Sequence, residues 1–210
     1  HLDQAGCSIS LTGKTTWLST AALFNTMCVE RLSDVHTLRH ILAGGDGLSV
    51  PNVGKALHEL KNTRLFNGYG PTESTTFACC HTIPADAPLD RSIPIGKPIP
   101  NTTAYILDAS LQLVRVGVSG ELFIGGDGLA RGYWRREELT AEKFIADPFS
   151  TEPDALLSLT GCPARWRRGG SIEFLVPSYQ HTKLTGLRLK PGRHQTPPHR
   201  TPARQRHPGG

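Results

Sequence analysis

The sequence contains no long hydrophobic run. Hydrophobic residues make up 38% of its 210 residues, and no stretch approaches the roughly 20 consecutive apolar residues that a membrane-spanning helix requires. The basic and apolar segments of a signal peptide are also missing from the start. We therefore expect a soluble, cytoplasmic protein with no membrane partner. A chain of this length can bury one core, or one core and a small appendage.

Cysteine is scarce, and its spacing fits no metal site. The five residues are Cys7, Cys28, Cys79, Cys80 and Cys162. Because their number is odd and they lack the spacing of zinc ligands, the pattern favours reduced thiols over disulfides or zinc. Cys79 and Cys80 are adjacent in a predicted strand, so their side chains should point to opposite faces.

Acidic residues are almost absent from the C-terminal segment. Residues 1–163 contain 13 Lys and Arg against 17 Asp and Glu, whereas residues 164–210 contain 10 against one. The net charge of +5 therefore belongs to the C-terminal segment and does not indicate what the rest of the chain binds. Residues 191–210 are basic, rich in proline and histidine and without apolar periodicity, which predicts a disordered tail. Their arginines lack interleaved aromatic residues, so we expect no nucleic-acid partner; steeply salt-dependent DNA binding is the alternative.

Helical and extended patterns alternate in the first half of the chain. Ser19 is predicted to cap a helix that runs to Arg31, and Ser49 to cap a second helix with Pro51 in its first turn. Strands are predicted at residues 36–43, 65–66 and 76–81. This alternation predicts an α/β fold with a mainly parallel sheet, in which ligands collect beyond the carboxyl ends of the strands.

An antiparallel region is predicted after a proline-rich connection. Residues 103–107 and 111–114 have the pattern of a hairpin, residues 118–125 that of a third strand, and residues 156–160 and 172–175 those of two more. Thr140 is predicted to cap a short helix that runs to Ile145. The patterns of residues 103–107, 111–114 and 118–125 predict a small antiparallel meander or barrel beside the parallel sheet. The strands at 156–160 and 172–175 are predicted without a place in either sheet.

Two glycine-containing segments follow predicted strands of the parallel sheet. They are Gly44-Gly45-Asp46 and Asn67-Gly68-Tyr69-Gly70-Pro71-Thr72-Glu73. The glycines let the backbone approach a ligand closely, and Pro71 fixes the turn. Tyr69 offers an aromatic face to a purine, Thr72 a hydroxyl to a phosphate and Glu73 a carboxylate to Mg²⁺. The alternative is a solvated turn with an incidental acid.

The second segment resembles the fifth core motif of the amino-acid adenylation domains of nonribosomal peptide synthetases. The similarity runs from Thr15 to Phe174 and includes a second motif, Gly120-Glu121-Leu122-Phe123-Ile124 through Gly132-Tyr133. The resemblance implies part of the large N-terminal subdomain of an adenylate-forming enzyme, starting in the middle of a larger domain. Residues 1–177 would form this part, residues 178–190 the degenerate start of a C-terminal subdomain, and residues 191–210 the tail.

Such domains use Mg-ATP to convert an amino acid into aminoacyl-AMP and then load it on a carrier-protein thiol. The resemblance implies that Tyr69 packs on adenine, Asn67 bonds its edge, Thr72 contacts phosphate and Glu73 ligates Mg²⁺. The implied nucleotide contacts are Gly44, Gly45, Asp46, Asn67, Gly68, Tyr69, Gly70, Pro71 and Thr72, with Thr72 and Glu73 as the catalytic residues. The implied partners are the amino-acid substrate, a condensation domain and a peptidyl carrier domain, which bears the phosphopantetheine.

The resemblance also implies a substrate pocket without charged side chains. Its residues would be Trp17, Ile41, Ala43, Gly68, Thr76 and Phe77. We therefore expect a neutral, partly apolar amino acid; the alternative is that Trp17 and Phe77 are ordinary core aromatics. The glycines of residues 125–128 are interpreted as structural turns, because the lysine and threonine of a phosphate-binding P-loop are missing. Arg131 and Tyr133 are expected to be scaffold around the cleft.

Several parts expected of the family are absent from the sequence. These are the glycine-rich, lysine-bearing phosphate loop, the aspartate that holds the substrate ammonium, and the C-terminal catalytic lysine. Cys162 stands where the family has the carboxylate that binds the ribose hydroxyls. Since losing one such electrostatic group costs about 10²–10³ in rate, we expect a fragment of a ligase that is inactive alone. The alternatives are a non-catalytic nucleotide-binding remnant and a fragment of a related acyl-CoA ligase.

Overall fold

The computed structural model describes residues 15–89 and 92–175, together with two short strands at residues 183–184 and 187–188. The chain divides into two units, residues 1–175 and 176–210. The predicted disordered tail, residues 191–210, lies outside the described residues, as does most of the predicted segment 178–190.

The first sheet is built from five strands. They are β1 (Thr16–Thr20), β2 (His40–Gly44), β3 (Arg64–Tyr69), β4 (Cys79–Ile83) and β5 (Lys97–Pro98). β1, β2 and β3 are parallel, and β4 and β5 extend the sheet with antiparallel pairing. This arrangement confirms the predicted α/β class. The sequence patterns predict no strand at the position of β1, so the structure adds this strand to the predicted sheet.

Two helices pack against the parallel strands. They are α1 (Ala21–Glu30) and α2 (Val50–Glu59). Thr20 caps α1, since its hydroxyl accepts a hydrogen bond from the Leu23 N–H at 3.2 Å. The predicted cap at Ser19 is therefore wrong by one residue. Ser49 caps α2, with Pro51 in the first turn, as predicted.

One face of the parallel strands forms a core with these helices. Its members include Phe24, Met27, Ile41, Ala43, Val53, Ala56 and Leu65. Alternation along β2 places Ile41 and Ala43 in this core and turns Leu42 to the other face, where it is half-buried. On that other face Leu18, the register partner of Leu42, is 55% exposed. The described residues therefore cover one face of the parallel strands more fully than the other.

The second sheet is antiparallel. Its strands are β6 (Thr102–Leu107), β7 (Gly120–Gly126), β8 (Phe144–Ala146), β9 (Leu156–Trp166) and β10 (Ile172–Phe174). The order is β10-β9-β7-β6, and β8 pairs with β9. The predicted antiparallel region beside the parallel layer is confirmed. Its core, with Ile106, Leu122 and Ile172, also contains Ala78 and Cys79, so the two sheets are packed together.

Several predicted elements have different bounds or another conformation. Residues 111–114 form no strand, because Leu111 has a φ of 58° and a single bridge joins Leu113 to Leu107. The third helix, α3, is Glu137–Lys143. Thr140 lies inside it and donates to the Arg136 carbonyl at 2.9 Å, so the predicted cap is wrong. β2 begins only at His40, since a 3₁₀ helix at Leu32–Val35 precedes it.

A third sheet, of two strands, lies in the second unit. β11 (Lys183–Leu184) and β12 (Leu187–Arg188) pair with each other in antiparallel fashion. They form a short hairpin.

A bulge interrupts the pairing of β7 with β9. The register shifts between Leu122 and Phe123. The buried Thr160 hydroxyl donates to the Leu122 carbonyl at 2.6 Å and accepts from the Cys162 N–H at 3.1 Å. It therefore satisfies backbone groups that the bulge removes from the regular ladder.

We expect Thr160→Val to lower the free energy of unfolding by about 1–3 kcal/mol, because valine keeps the shape and leaves buried backbone groups unpaired. Thr82→Val, at an exposed position of β4, is the matched control. Urea unfolding of both variants measures the difference. Ordinary surface substitutions change the free energy of unfolding by up to about 0.5 kcal/mol. If the free energies of unfolding of Thr160→Val and the control differ by no more than this, the prediction is wrong.

Glu173 is a buried carboxylate on β10, 6% exposed. It accepts hydrogen bonds from Arg165 Nε at 2.8 Å and from the Ser92 hydroxyl at 2.9 Å. Burial by itself would raise the pKa of Glu173. The hydrogen bonds from Arg165 and Ser92 and the charges of Arg165 and Arg167 more than offset it, so the pKa lies below its ordinary value.

Acidification should therefore weaken the fold through this carboxylate. Because the folded-state pKa is depressed, the stabilisation is present above the unfolded-state pKa of about 4.3 and is lost as the pH falls through the folded-state pKa. Glu173→Gln should reduce this acid dependence, whereas Glu152→Gln, at an exposed position, should not. Unfolding free energies measured from about pH 7 to about pH 3 test this. An unchanged pH profile in Glu173→Gln would rule it out.

Candidate functional site

The two predicted glycine segments meet at the carboxyl ends of β2 and β3. Gly44 and Gly68 are register partners in the parallel sheet. β3 extends through Tyr69, so the first three residues of the predicted loop 67–73 belong to the strand. Thr72–Ser74 then form one turn of 3₁₀ helix. The structure thus brings the segments together at the sheet edge where ligands of α/β proteins collect.

The glycines at this edge are required by close packing. A Cβ on Gly68 would lie 2.3 Å from Cε1 of Phe77, and one on Gly44 would lie 2.1 Å from the Gly68 carbonyl oxygen. A Cβ on Gly70 would lie 2.3 Å from the Thr76 carbonyl oxygen. Phe77 therefore lies directly over the strand ends. Packing alone accounts for these glycines, whether or not a ligand approaches them.

The six predicted pocket residues do not share one face of the sheet. Trp17, Ile41 and Ala43 pack in the core under the helices, and Ile41 and Ala43 are each 1% exposed. On the other side of the strands, the Phe77 ring occupies the position that a side chain on Gly68 would take. The structure thus groups Gly68 with Phe77 and separates them from Ile41 and Ala43. The substrate pocket stays a prediction.

Asn67 is buried, with 4% of its surface exposed. Its Nδ2 donates to the Pro94 carbonyl at 2.8 Å and to the Ile93 carbonyl at 3.3 Å. These bonds tie β3 to the segment before β5. A contact between Asn67 and an adenine edge would therefore have to use the amide oxygen.

Tyr69 lies half-buried at the end of β3. Its ring centroid is 5.9 Å from that of Phe174, with the planes tilted by 40°. The ring packs against the core of the second sheet. The aromatic side chain predicted to contact adenine is therefore held at the junction of the two sheets.

Asp46 and Thr72 are both exposed at the same edge of the sheet. The Asp46 carboxylate accepts a hydrogen bond from the Gly47 N–H at 2.8 Å, which is ordinary turn chemistry. Gly45 has a φ of 84°, a conformation that favours glycine. The roles predicted for Asp46 and Thr72 in nucleotide binding stay predictions.

The loop that carries Glu73 is held by residues 127–133. The Tyr133 hydroxyl donates to Glu73 Oε1, and the Ala130 N–H donates to the Glu73 carbonyl at 2.7 Å. The Thr75 hydroxyl donates to the Gly128 carbonyl at 2.8 Å. The two motifs found in the sequence are therefore in direct contact. Sequence reasoning missed the Tyr133–Glu73 pair, because the two residues are 60 positions apart and no local spacing links them.

The donor set at Glu73 fits a metal ion that arrives with a nucleotide. Among the described residues, no group of three or more His, Cys, Asp or Glu side chains could hold a metal alone. Glu73 supplies a single carboxylate. Mg²⁺ commonly binds one or two carboxylates together with substrate phosphates and keeps several waters. A single carboxylate at an open edge is compatible with that mode of binding.

Two cavities lie on the described part of the chain. One of about 490 Å³ is lined by Arg165, Trp166 and Glu173 among others. The other, of about 220 Å³, is lined by His81, Pro88 and their neighbours. Neither is lined by a predicted site residue, although Ile93 and Pro94, whose carbonyls bind Asn67, line the second.

Cys162 is fully buried in the core of the second sheet. Its Sγ lies 3.5 Å from the Thr160 carbonyl oxygen. The thiol is therefore part of the packing and offers no acceptor to a ligand at the surface.

Comparison with known proteins gives a consistent set of relatives. The family of AMP-binding enzymes matches residues 9–134. A linear gramicidin synthase from Brevibacillus parabrevis is 47% identical over 189 residues, which is 90% of this chain and 4% of that protein. Tyrocidine synthase 3 of the same organism is 43% identical over 182 residues, or 87% of this chain and 3% of that protein. The chain thus spans a very small part of the curated relatives it matches.

Solved structures show the same fold. PA1221, a nonribosomal peptide synthetase protein containing adenylation and PCP domains, has a TM-score of 0.78 and 38% identity, covering 85% of this chain and 36% of that one. NpsA-ThdA, an artificially fused adenylation–PCP di-domain from Klebsiella oxytoca, has a TM-score of 0.74 and 26% identity, covering 84% of this chain and 32% of that one.

Gly68→Ala should destabilise the strand ends by about 1–3 kcal/mol, because the added methyl group would force the Phe77 ring out of its position. Gly47→Ala is the matched control, since its Cβ would meet nothing within 4 Å. Phe77→Ala should lower the free energy of unfolding less in the Gly68→Ala variant than in the wild type. Urea unfolding measures all four variants. Equal losses for Gly68→Ala and Gly47→Ala would show that the ring does not lie against Gly68.

Proposed function

Since the chain belongs to the AMP-binding enzymes and is a fragment of a nonribosomal peptide synthetase adenylation domain, we propose that it carries that domain's nucleotide-binding edge. The parent would activate an amino acid with ATP. The observation that carries the proposal is the pairing of Gly44 with Gly68, which places the turn after β2 and the Glu73 turn after β3 at one edge of the sheet. We propose residues 1–177 as the partial large subdomain and residues 178–190 as the start of the next one.

In the parent, the carboxylate oxygen of an amino acid would attack the α-phosphorus of ATP. A bond from the acyl oxygen to phosphorus forms, and pyrophosphate leaves with the electrons of the broken P–O bond. A carrier-domain thiol, on phosphopantetheine, then takes the aminoacyl group and releases AMP. The condensation domain of the synthetase would use the loaded product. We propose a cytoplasmic location for this chemistry.

In this proposal the residues at the edge have distinct tasks. Tyr69 presents its ring to adenine, and the Asn67 amide oxygen accepts from the adenine amino group. Thr72 is exposed and donates its hydroxyl to a phosphate oxygen. Glu73 would hold Mg²⁺, which when bound neutralises charge on the phosphates. Gly44 and Gly68 leave room at the edge for the Phe77 ring.

The proposed substrate is a neutral, partly apolar amino acid. Support for its position comes from Gly68 and Phe77, which pack together beside the nucleotide edge. Thr76 is exposed next to Phe77. Trp17, Ile41 and Ala43 belong to the proposed pocket set but pack on the core side of the strands.

A second candidate is a remnant that binds adenine nucleotide without catalysis. Cys162 favours it, because a thiol buried in the core cannot accept hydrogen bonds from the ribose hydroxyls. The two candidates differ in one assay. Amino-acid-dependent exchange of labelled pyrophosphate into ATP above background supports retained activation, and exchange at background with nucleotide binding supports the remnant.

We expect the 210-residue chain to bind ATP more tightly with Mg²⁺ than with a chelator. Glu73→Gln should lower the affinity for ATP with Mg²⁺ about tenfold, or by about 1.4 kcal/mol. The reason is that an amide is a poorer ligand for Mg²⁺ than a carboxylate. Glu152→Gln is the control, since Glu152 is exposed and lies outside the site. Titration calorimetry with ATP and with AMP measures both effects. If the folded wild-type chain binds neither nucleotide, the proposal fails.

A further inference from the structure

The hydrogen bond from Tyr133 to Glu73 joins the loop after β7 to the turn after β3. We propose that Tyr133 is a positioning residue, which fixes the Glu73 carboxylate for a divalent cation bound with the nucleotide. This inference rests on the proposed function and adds to it a residue from the other motif.

Tyr133 is itself held in place by its surroundings. Its backbone N–H donates to the Thr140 hydroxyl at 2.9 Å. Its ring meets Phe144 edge-on, with centroids 5.7 Å apart and planes at 71°. The preceding Gly132 has a φ of 142°, and a Cβ there would lie 2.4 Å from Thr140 Cγ2. The direction of the phenol is therefore set by α3 and β8 before any ligand binds.

The backbone of the Glu73 turn is held separately from its side chain. Ala130 N–H binds the Glu73 carbonyl at 2.7 Å, and the Thr75 hydroxyl binds the Gly128 carbonyl at 2.8 Å. These bonds do not involve the Tyr133 hydroxyl. Removing that hydroxyl should therefore release the carboxylate and leave the turn in place.

Fixing the carboxylate matters because glutamate is flexible. A free side chain loses rotamer freedom when it binds a metal, and this loss weakens binding. The bond from Tyr133 uses Oε1. In this proposal Oε2 is the oxygen that binds the cation. Carboxylates that ligate metals are commonly held by such outer hydrogen bonds, whose removal weakens metal binding by about 10–100-fold.

The test compares Tyr133→Phe with wild type in the complete chain. Tyr105→Phe is the matched control, because this tyrosine also packs on a phenylalanine, Phe149, with centroids 4.7 Å apart. Mn²⁺ binding in the presence of ATP is measured by electron paramagnetic resonance. We expect Tyr133→Phe to weaken it about 10–100-fold and to leave metal-free AMP binding unchanged. Tyr105→Phe should match wild type in both measurements.

A second readout does not depend on ligand. Unfolding constants of Tyr133→Phe, Glu73→Ala and the double variant give the coupling between the two side chains, which we expect to reach about fivefold or more. Unchanged or tighter Mn²⁺ binding in Tyr133→Phe would overturn the proposal, as would the absence of coupling. If wild type shows no metal-dependent nucleotide binding but the coupling is present, the proposed function fails, and the metal role of Tyr133 fails with it. The contact between the two side chains would still stand.

Discussion

The parallel register of β2 and β3 is the constraint on which the candidate site depends. Because Gly44 and Gly68 are register partners, both strands end at one edge and their loops begin side by side. Phe77 can lie over this edge only because Gly68 has no side chain. The position of the Phe77 ring therefore depends on Gly68, and the position of Gly68 depends on the register of β3 with β2. A shift of one residue in β3 would turn Gly68 away from Phe77 and bring a larger side chain against the ring.

Local patterns predicted those features that neighbouring residues determine. Ser49 caps α2, and the strands β3, β4 and β7 follow their apolar runs closely enough to be found. The failures have local causes that a pattern cannot express. Leu111 adopts a left-handed φ that breaks the expected hairpin arm. Thr140 has the residue type of a cap but bonds back to Arg136 within the helix.

The sequence proposes the candidate site as a set of residues and does not show their arrangement. Asn67 and Glu73 stand out in the sequence, yet the partners that hold them, Pro94 and Tyr133, are distant along the chain. The face to which each predicted pocket residue points also depends on pairing. Ile41 and Ala43 fall under the helices because β2 alternates in that phase. Strand pairing and contacts between distant residues determine these partners and faces, and a single sequence shows such contacts only indirectly.

The two sheets contribute differently to this edge. The parallel sheet sets where the Glu73 turn begins, but one turn of 3₁₀ helix has too few backbone bonds to fix a long side chain. The antiparallel sheet supplies what is missing, since the loop after β7 binds both the backbone and the carboxylate of Glu73. Cys162, on β9 of the same sheet, has the opposite effect. Its side chain packs in the core and presents no acceptor at the edge. The antiparallel sheet therefore holds the Glu73 carboxylate in place and keeps the side chain of Cys162 inside its core. Under the proposed function, nucleotide binding that depends on the metal and phosphates should therefore be retained better than binding that depends on the ribose.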